Sequence, residues 1–240
     1  MKTRVFRPGW AATVAVALLS PLFVSLGVWQ LHRADEKTSL MEQRERRQSE
    51  PVLRGGGLEW ASEENRYRRV ELTGELDAAH QFLLDNQINQ QQAGYHVLTP
   101  LRIEGTDAAV LVNRGWVPVG KDRARLPDST IGQTKIHVTA LIDRFPVVGF
   151  KLAGAEIPAP GWPAVTQLLD AHRLSEGLGF RLLPYQVLLP ADEPDGYVRD
   201  WKQASLDPGK NRGYALQWFS FALVLSFLYV WHGFKPKRPD

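Results

Sequence analysis

Six histidines are the natural candidates for metal ligation or proton transfer in this chain: His32, His80, His96, His137, His172 and His232. A helical metal site needs ligands three or four residues apart, and no such partner is read for His80, His96, His137 or His172. His32 closes a first long apolar segment and His232 closes a second. If both segments cross a bilayer, these two lie on opposite faces and cannot share a ligand. The other four fall between the segments, where a structural role is the expectation. There is no cysteine. That excludes disulfides, thiolate metal sites, redox dithiols and a cysteine nucleophile, and with them a thiol-based copper chaperone. No Gly-x-Ser-x-Gly elbow, phosphate loop or dinucleotide fingerprint occurs. "RGGGLEW" (54–60) lacks the Lys-Ser/Thr that would follow in a phosphate loop, and Asp192, Glu193 and Asp195 read as a solvated loop. The residue types favour binding or assembly over catalysis.

The elements that would position such residues begin with the two apolar segments. "GYALQWFSFALVLSFLYVW" (213–231) holds no charge; as a helix it is about 28 Å long, close to the bilayer's hydrocarbon thickness of about 30 Å. Trp218, Tyr214, Tyr229 and Trp231 sit toward its ends, where amphipathic rings favour the interface. "GWAATVAVALLSPLFVSLGVWQL" (9–31) is also uncharged and long enough to span, with Pro21 as a potential kink. Its long run and bulky end "VWQLHR" fit an uncleaved anchor better than a signal peptide. The layout expected is a tail over 1–8, a span over 9–31, a domain over 32–212, a span over 213–231 and a tail over 232–240.

Charge supports that layout. The tails hold six of the 29 basic residues and one of the 26 acids, which leaves 23 basic against 25 acidic elsewhere, a net −2. No basic face is implied, so nucleic acid is not an expected partner; membrane lipid is. Lys2, Arg4 and Arg7, and Lys235, Lys237 and Arg238, place both tails inside by the positive-inside rule. Arg33, Lys37, Arg44, Arg46 and Arg47 argue the other way. A long intervening domain crosses largely regardless of charge, so it is expected outside.

Residues 33–50 read as a solvated helix continuing out of the membrane, with Glu42 and Arg46 four apart. "RGGGLEWASEEN" (54–65) reads as a break. The pattern then turns to strands: 67–76, 80–87, 94–103, 108–119, 135–145 and 183–192, with turns at Asp77, Asn89, Gly94, Gly105, Gly120, Pro127 and Gly132. An antiparallel sheet that curls or closes is expected. A loop covers 151–163 and a helix 164–179. The fold class is a membrane protein: two transmembrane helices flanking a β-rich, barrel-like α+β domain.

An ordered set of motifs goes further. "LGVWQLHRADEK" (26–37), "LLDNQ" (83–87), "GYHVLTPL" (94–101), "VLVNRGWVPVG" (110–120), "GWPAVTQLLD" (161–170), "DGYVRDW" (195–201) and "GYALQWFSFAL" (213–223) occur in that order. The chain resembles the bacterial SURF1-like family, also called Surfeit locus 1 or Shy1, from about Val5 to Phe234. The resemblance implies a non-enzymatic assembly factor for haem–copper cytochrome c oxidase in the bacterial inner membrane, with a periplasmic domain. It implies the oxidase core subunit and haem a synthesis proteins as partners, and haem a as a cofactor of some bacterial members.

One position departs. Many relatives carry a histidine just before the second span, the favoured haem ligand; here "KNRGYA" puts Asn211 there. Asparagine is not a usual haem axial ligand, which weakens the haem assignment and favours a protein-only chaperone. His32, expected at the same membrane depth, is the substitute ligand to consider. Trp29, Gln30, Arg33, Asn113, Arg114, Gly115, Trp116, Tyr214, Gln217 and Trp218 are the motif residues expected to serve partner contact or helix packing. Gln30 and Gln217 need hydrogen-bond partners in apolar surroundings. Asn113-Arg114-Gly115 reads as a turn or bulge, with Arg114 pairing an acid.

Overall fold

The computed structural model describes residues 4–123, 125–146, 154–201 and 207–236. Lys2, Lys237, Arg238 and the first residues of the 151–163 loop lie outside these. In chain order the elements are β1 (Arg4–Phe6), α1 (Trp10–Ser49), β2 (Leu53–Arg54), β3 (Arg69–Leu76), β4 (Phe82–Asn89), β5 (Gln92–Ile103), β6 (Ala108–Pro118), β7 (Lys135–Arg144), β8 (Ala164–Thr166), α2 (Ala171–Leu178), β9 (Arg181–Leu188), α3 (Pro208–Gly233) and β10 (Phe234–Pro236). The chain divides into two compact units, Met1–Gln43 with Gln203–Asp240, and Arg44–Lys202.

The first unit is a helix pair. Both α1 and α3 are long and apolar enough to cross a membrane. α1 runs unbroken through Pro21 and on into its charged continuation. The pair packs through small residues seven apart, buried Gly27 and Ala34 on α1 and buried Ala215 and Ala222 on α3. A Cβ at Gly27 would stand 2.7 Å from the Phe219 ring, so a larger residue would force the ring or the helices to shift. Phe23 stacks on Trp218 at 5.7 Å. Leu18, Val24, Leu216, Leu223 and Phe227 face outward and exposed, a surface that suits lipid and not water. Asp207 caps α3, its carboxylate accepting from the Gly209 amide at 2.8 Å. β1 and β10 pair antiparallel, Val5 opposite Lys235, and tie the two ends together.

The second unit contains a closed barrel. β3 pairs with β7, β7 with β9, β9 with β6, β6 with β5, and β5 returns to β3. β5 is long enough to serve twice. Its first half lies between β4 and β6, and its second half between β6 and β3. The sheet is not purely antiparallel: β2–β3, β4–β8 and β6–β9 are parallel pairs. Parallel neighbours require long connections, and α2 lies in the one leading to β9.

The barrel interior holds Val70, Leu72, Leu101, Val110, Val112 and Ile142. A second apolar layer, with Leu98, Ala109, Leu111, Leu182 and Leu174 of α2, covers the outside of β5, β6 and β9. β6 is therefore buried on both faces, which explains its continuous apolar run.

Two local expectations are corrected. The helix expected over 164–179 begins only at Ala171. Residues 164–166 instead pair with β4, and Asp170 starts the helix by accepting from the Arg173 amide at 3.0 Å. Gly179 ends it in the left-handed region at φ 74. Gly94 is not a turn residue. It lies inside β5 opposite Pro118, beside the Trp116 indole, and the turn falls at Gln90 and Gln91, both with positive φ.

Candidate functional site

Asn211 stands near the start of α3, and its amide is fully engaged within the helix pair. Its Nδ2 donates to Gln30 Oε1 at 2.6 Å, and its Oδ1 accepts from Lys37 Nζ at 2.8 Å. Lys37 also donates to the Asp207 carbonyl at 3.4 Å. Gln30 thus has its interhelical partner. The spacing explains the meeting: Gln30, Ala34 and Lys37 follow the i, i+4, i+7 row of one helix face. His32 is two residues from Gln30, a rotation of about 200° at 3.6 residues per turn, so it points from a different face. It is exposed, and so are Trp29, Arg33, Tyr214 and Gln217. Arg33 pairs with Glu36 at 2.8 Å. Trp218 is half-buried against Phe23 and Phe221.

Haem a needs an axial donor such as imidazole, thioether, thiolate or phenolate. The amide at Asn211 is none of these, and both its polar atoms already have partners. The donor at Asn211 does not fit axial haem ligation.

The second cluster lies in the barrel unit, at Asn113–Trp116. Along β5 and β6 the register jumps from Val97 opposite Gly115 to Leu98 opposite Asn113. Arg114 is the extra residue of a bulge, turned to cap the barrel interior. Its side chain is 1% exposed. It borders a cavity of about 30 Å³ with Leu76, Val112, Val138 and Leu189.

No carboxylate pairs with this guanidinium among the described residues, contrary to expectation. Nε donates to the Asp195 carbonyl at 2.8 Å, Nη1 to Gln81 Oε1 at 3.0 Å and the Ser129 carbonyl at 2.9 Å, and Nη2 to the Thr130 carbonyl at 3.0 Å. The planar fork suits several acceptors held in fixed directions. Burial lowers the pKa of Arg114, against the opposing pull of Tyr197 and Asp195.

These bonds tie three segments together. Asp195 Oδ2 accepts from the Gly132 and Gln133 amides at 3.0 and 3.1 Å. Tyr197 donates its hydroxyl to the Asp128 carbonyl at 2.9 Å, and its amide to the Arg114 carbonyl at 2.7 Å. Beyond the bulge, Trp116 and Val198 exchange backbone bonds at 2.8 and 3.1 Å. The "NRGW" and "DGYVRDW" motifs are therefore in contact. Arg199 continues the strap by donating to the carbonyls of Pro190, Ala191 and Glu193, and Trp201 Nε1 reaches the Leu189 carbonyl at 2.9 Å.

Gly115 has φ +117, and a Cβ there would lie 2.8 Å from the Val198 carbonyl oxygen. Gly115→Ala is expected to cost about 2 kcal/mol through this strain and crowding. A thermal-unfolding scan of the full chain checks it, and an unchanged midpoint would refute it.

Asn113 links the bulge to a third polar group. Its Nδ2 donates to Gln186 Oε1 at 3.0 Å and approaches His96 Nδ1 at 3.2 Å, while its Oδ1 accepts from the Gly115 amide at 3.2 Å. Burial lowers the His96 pKa to about 4, so the ring is neutral at pH 7. Trp201 meets it edge-on at 5.9 Å. Trp116 donates Nε1 to the Gln87 carbonyl at 2.9 Å.

Sequence reading missed Gln81, His96, Gln186 and the 195–198 strap as parts of this network. The signal was Asn113-Arg114 inside the apolar run of β6, where buried polar groups demand partners. It also missed acid neighbours of three histidines. His80 pairs with Asp77 at 2.9 Å, His137 with Glu71 at 3.0 Å and His172 with Glu176 at 3.5 Å. These are single pairs. No group of three or more metal-ligating side chains gathers among the described residues.

Two long apolar helices flanking a closed barrel define a barrel protein with two candidate membrane helices. The chain belongs to the SURF1 family, which it matches over residues 17–223. It is 23% identical to a SURF1-like protein of Caenorhabditis briggsae, over 94% of this chain and 76% of that one. It is 28% identical to a SURF1-like protein of Mycobacterium tuberculosis, over 92% and 82% of the two chains. For a SURF1-like protein of Rickettsia prowazekii the identity is 24%, over 87% and 84%. Members of the family are generally cytochrome oxidase assembly factors and are not known as enzymes.

Proposed function

We propose that this protein assists assembly of a haem–copper cytochrome c oxidase as a membrane-anchored chaperone of the core subunit. Both tails lie in the cytoplasm, α1 and α3 cross the bacterial inner membrane, and the barrel is periplasmic. The helix pair and barrel offer surfaces to the core subunit, and to haem a synthesis proteins, while the subunit matures. The exposed motif residues Trp29, Arg33, Tyr214 and Gln217 are the contacts we assign to the partner within the membrane region.

The observation that carries the protein-only form of this reading is the engagement of Asn211 by Gln30 and Lys37. That clasp occupies the position from which relatives are expected to offer a haem ligand. It supports helix pairing in its place.

The test is co-purification from cells that make haem a. The detergent-solubilised protein is expected to recover the oxidase core subunit without stoichiometric haem a in its absorption spectrum. Stoichiometric haem a would overturn the protein-only form, and His32→Ala would then show whether His32 supplies the ligand. Recovery of neither subunit nor haem would remove the assembly role.

A further inference from the structure

An open groove of about 500 Å³ lies between the start of α1 and the end of α3, well within the range of small-ligand sites. Ala12 and Val16 form one wall, and Leu225 and Leu228 the other. Alanine on α1 leaves the width that a larger side chain would fill. His232 and Lys235 stand at its mouth, and Pro8 lines it directly after Arg7.

The antiparallel pairing of Val5 with Lys235 fixes the ends of the chain there. Phe6 packs on Tyr229 at 5.7 Å and on Phe234 at 5.3 Å, which holds that arrangement. No acidic residue lines the groove. None occurs among the described residues of the two ends, 4–9 and 232–236.

An apolar slot that ends in positive charge, with no acid among the described residues of the two ends, has a specific complement. The apolar run of each helix stops at this level, which is where a lipid headgroup would lie. Basic pockets between membrane helices take anionic headgroups, because the phosphate is partly desolvated beside a fixed cation. The geometry points to a binding site for an anionic phospholipid, with an acyl chain between α1 and α3 and its phosphate at Lys235 and His232. The lipid comes from the leaflet on the side of the two termini. The assignment rests on the two helices crossing a bilayer and does not depend on the oxidase reading.

Native mass spectrometry of the full chain released from detergent micelles tests it. The probes are phosphatidylglycerol and phosphatidylcholine of identical acyl chains. The wild-type protein is expected to retain one phosphatidylglycerol, with a preference of about tenfold over phosphatidylcholine. Lys235→Glu is expected to bring that preference close to unity. Gly9→Leu is expected to reduce retention of the lipid itself. Gly9 lines the groove, and a Cβ there meets nothing within 4 Å, so the added side chain has open space to occupy. Equal retention of the two lipids by the wild type would overturn the proposal. So would an unchanged preference in Lys235→Glu, which would assign the effect to diffuse charge on the tails, or unchanged retention in Gly9→Leu.

Discussion

Arg114→Met is expected to destabilise the barrel by about 3–5 kcal/mol, because four acceptors lose one charged donor together. Methionine restores most of the volume, so the loss is polar. The side-chain oxygen of Gln81 and the carbonyls of Ser129, Thr130 and Asp195 lose their donor at once. A buried acceptor without a partner costs about 1–3 kcal/mol. The damage should spread to the strap, because Tyr197 and Val198 are held beside the same bulge. Arg114→Lys keeps the charge but concentrates three donors on one atom, and it is expected to recover only part of the loss. Urea unfolding of the full chain in detergent, followed by tryptophan fluorescence, measures both. If Arg114→Met shifts stability by less than about 1 kcal/mol, water replaces the guanidinium and the network is not needed for folding.

Acid is expected to weaken the same domain through His96. Burial holds its folded pKa at about 4, against 6.5 for the exposed ring. Above pH 6.5 both states are neutral, and the full stability is present. As pH falls below 6.5, the unfolded chain takes up a proton that the folded domain refuses until about pH 4. The loss across that window is about 3 kcal/mol, and it levels off below the folded pKa. His96→Gln keeps an acceptor for Asn113 and removes the titration. It is expected to be less stable than the wild type at pH 7, yet to lose less between pH 7 and pH 4.5. Unfolding midpoints at those two values give the comparison, since the carboxylates are common to both proteins and cancel. Equal losses in both proteins would show that His96 does not carry the effect.

The helices were legible because a long uncharged run admits few other structures. The strands β3, β5 and β6 were legible from branched and aromatic residues between turn signals. What did not show was partnership at a distance. β6 and β9 pair in parallel across a long connection, and no local pattern in either records the other. The 164–179 helix was overextended because Val165, Leu168 and Leu169 fit a helical stripe, while pairing with β4 decided otherwise. Arg114 stood out in an apolar run, but an acid was the expected partner. The actual partners are mostly main-chain carbonyls, which every residue carries and which sequence therefore cannot single out. Gln30 and Asn211 were each noticed, and only the packing of α1 on α3 revealed them as one clasp.

The closed ring has a consequence for how the protein is made. β9 sits between β6 and β7 and is the last of the barrel strands to be synthesised. Until Leu188 exists, β6 and β7 each present an unpaired edge, a template for wrong pairing. The ring cannot close without it, so closure is a late, non-local event of the slow-folding kind. α3 follows at Pro208. The growing chain therefore has only a brief interval between completing its barrel and beginning its second long apolar helix.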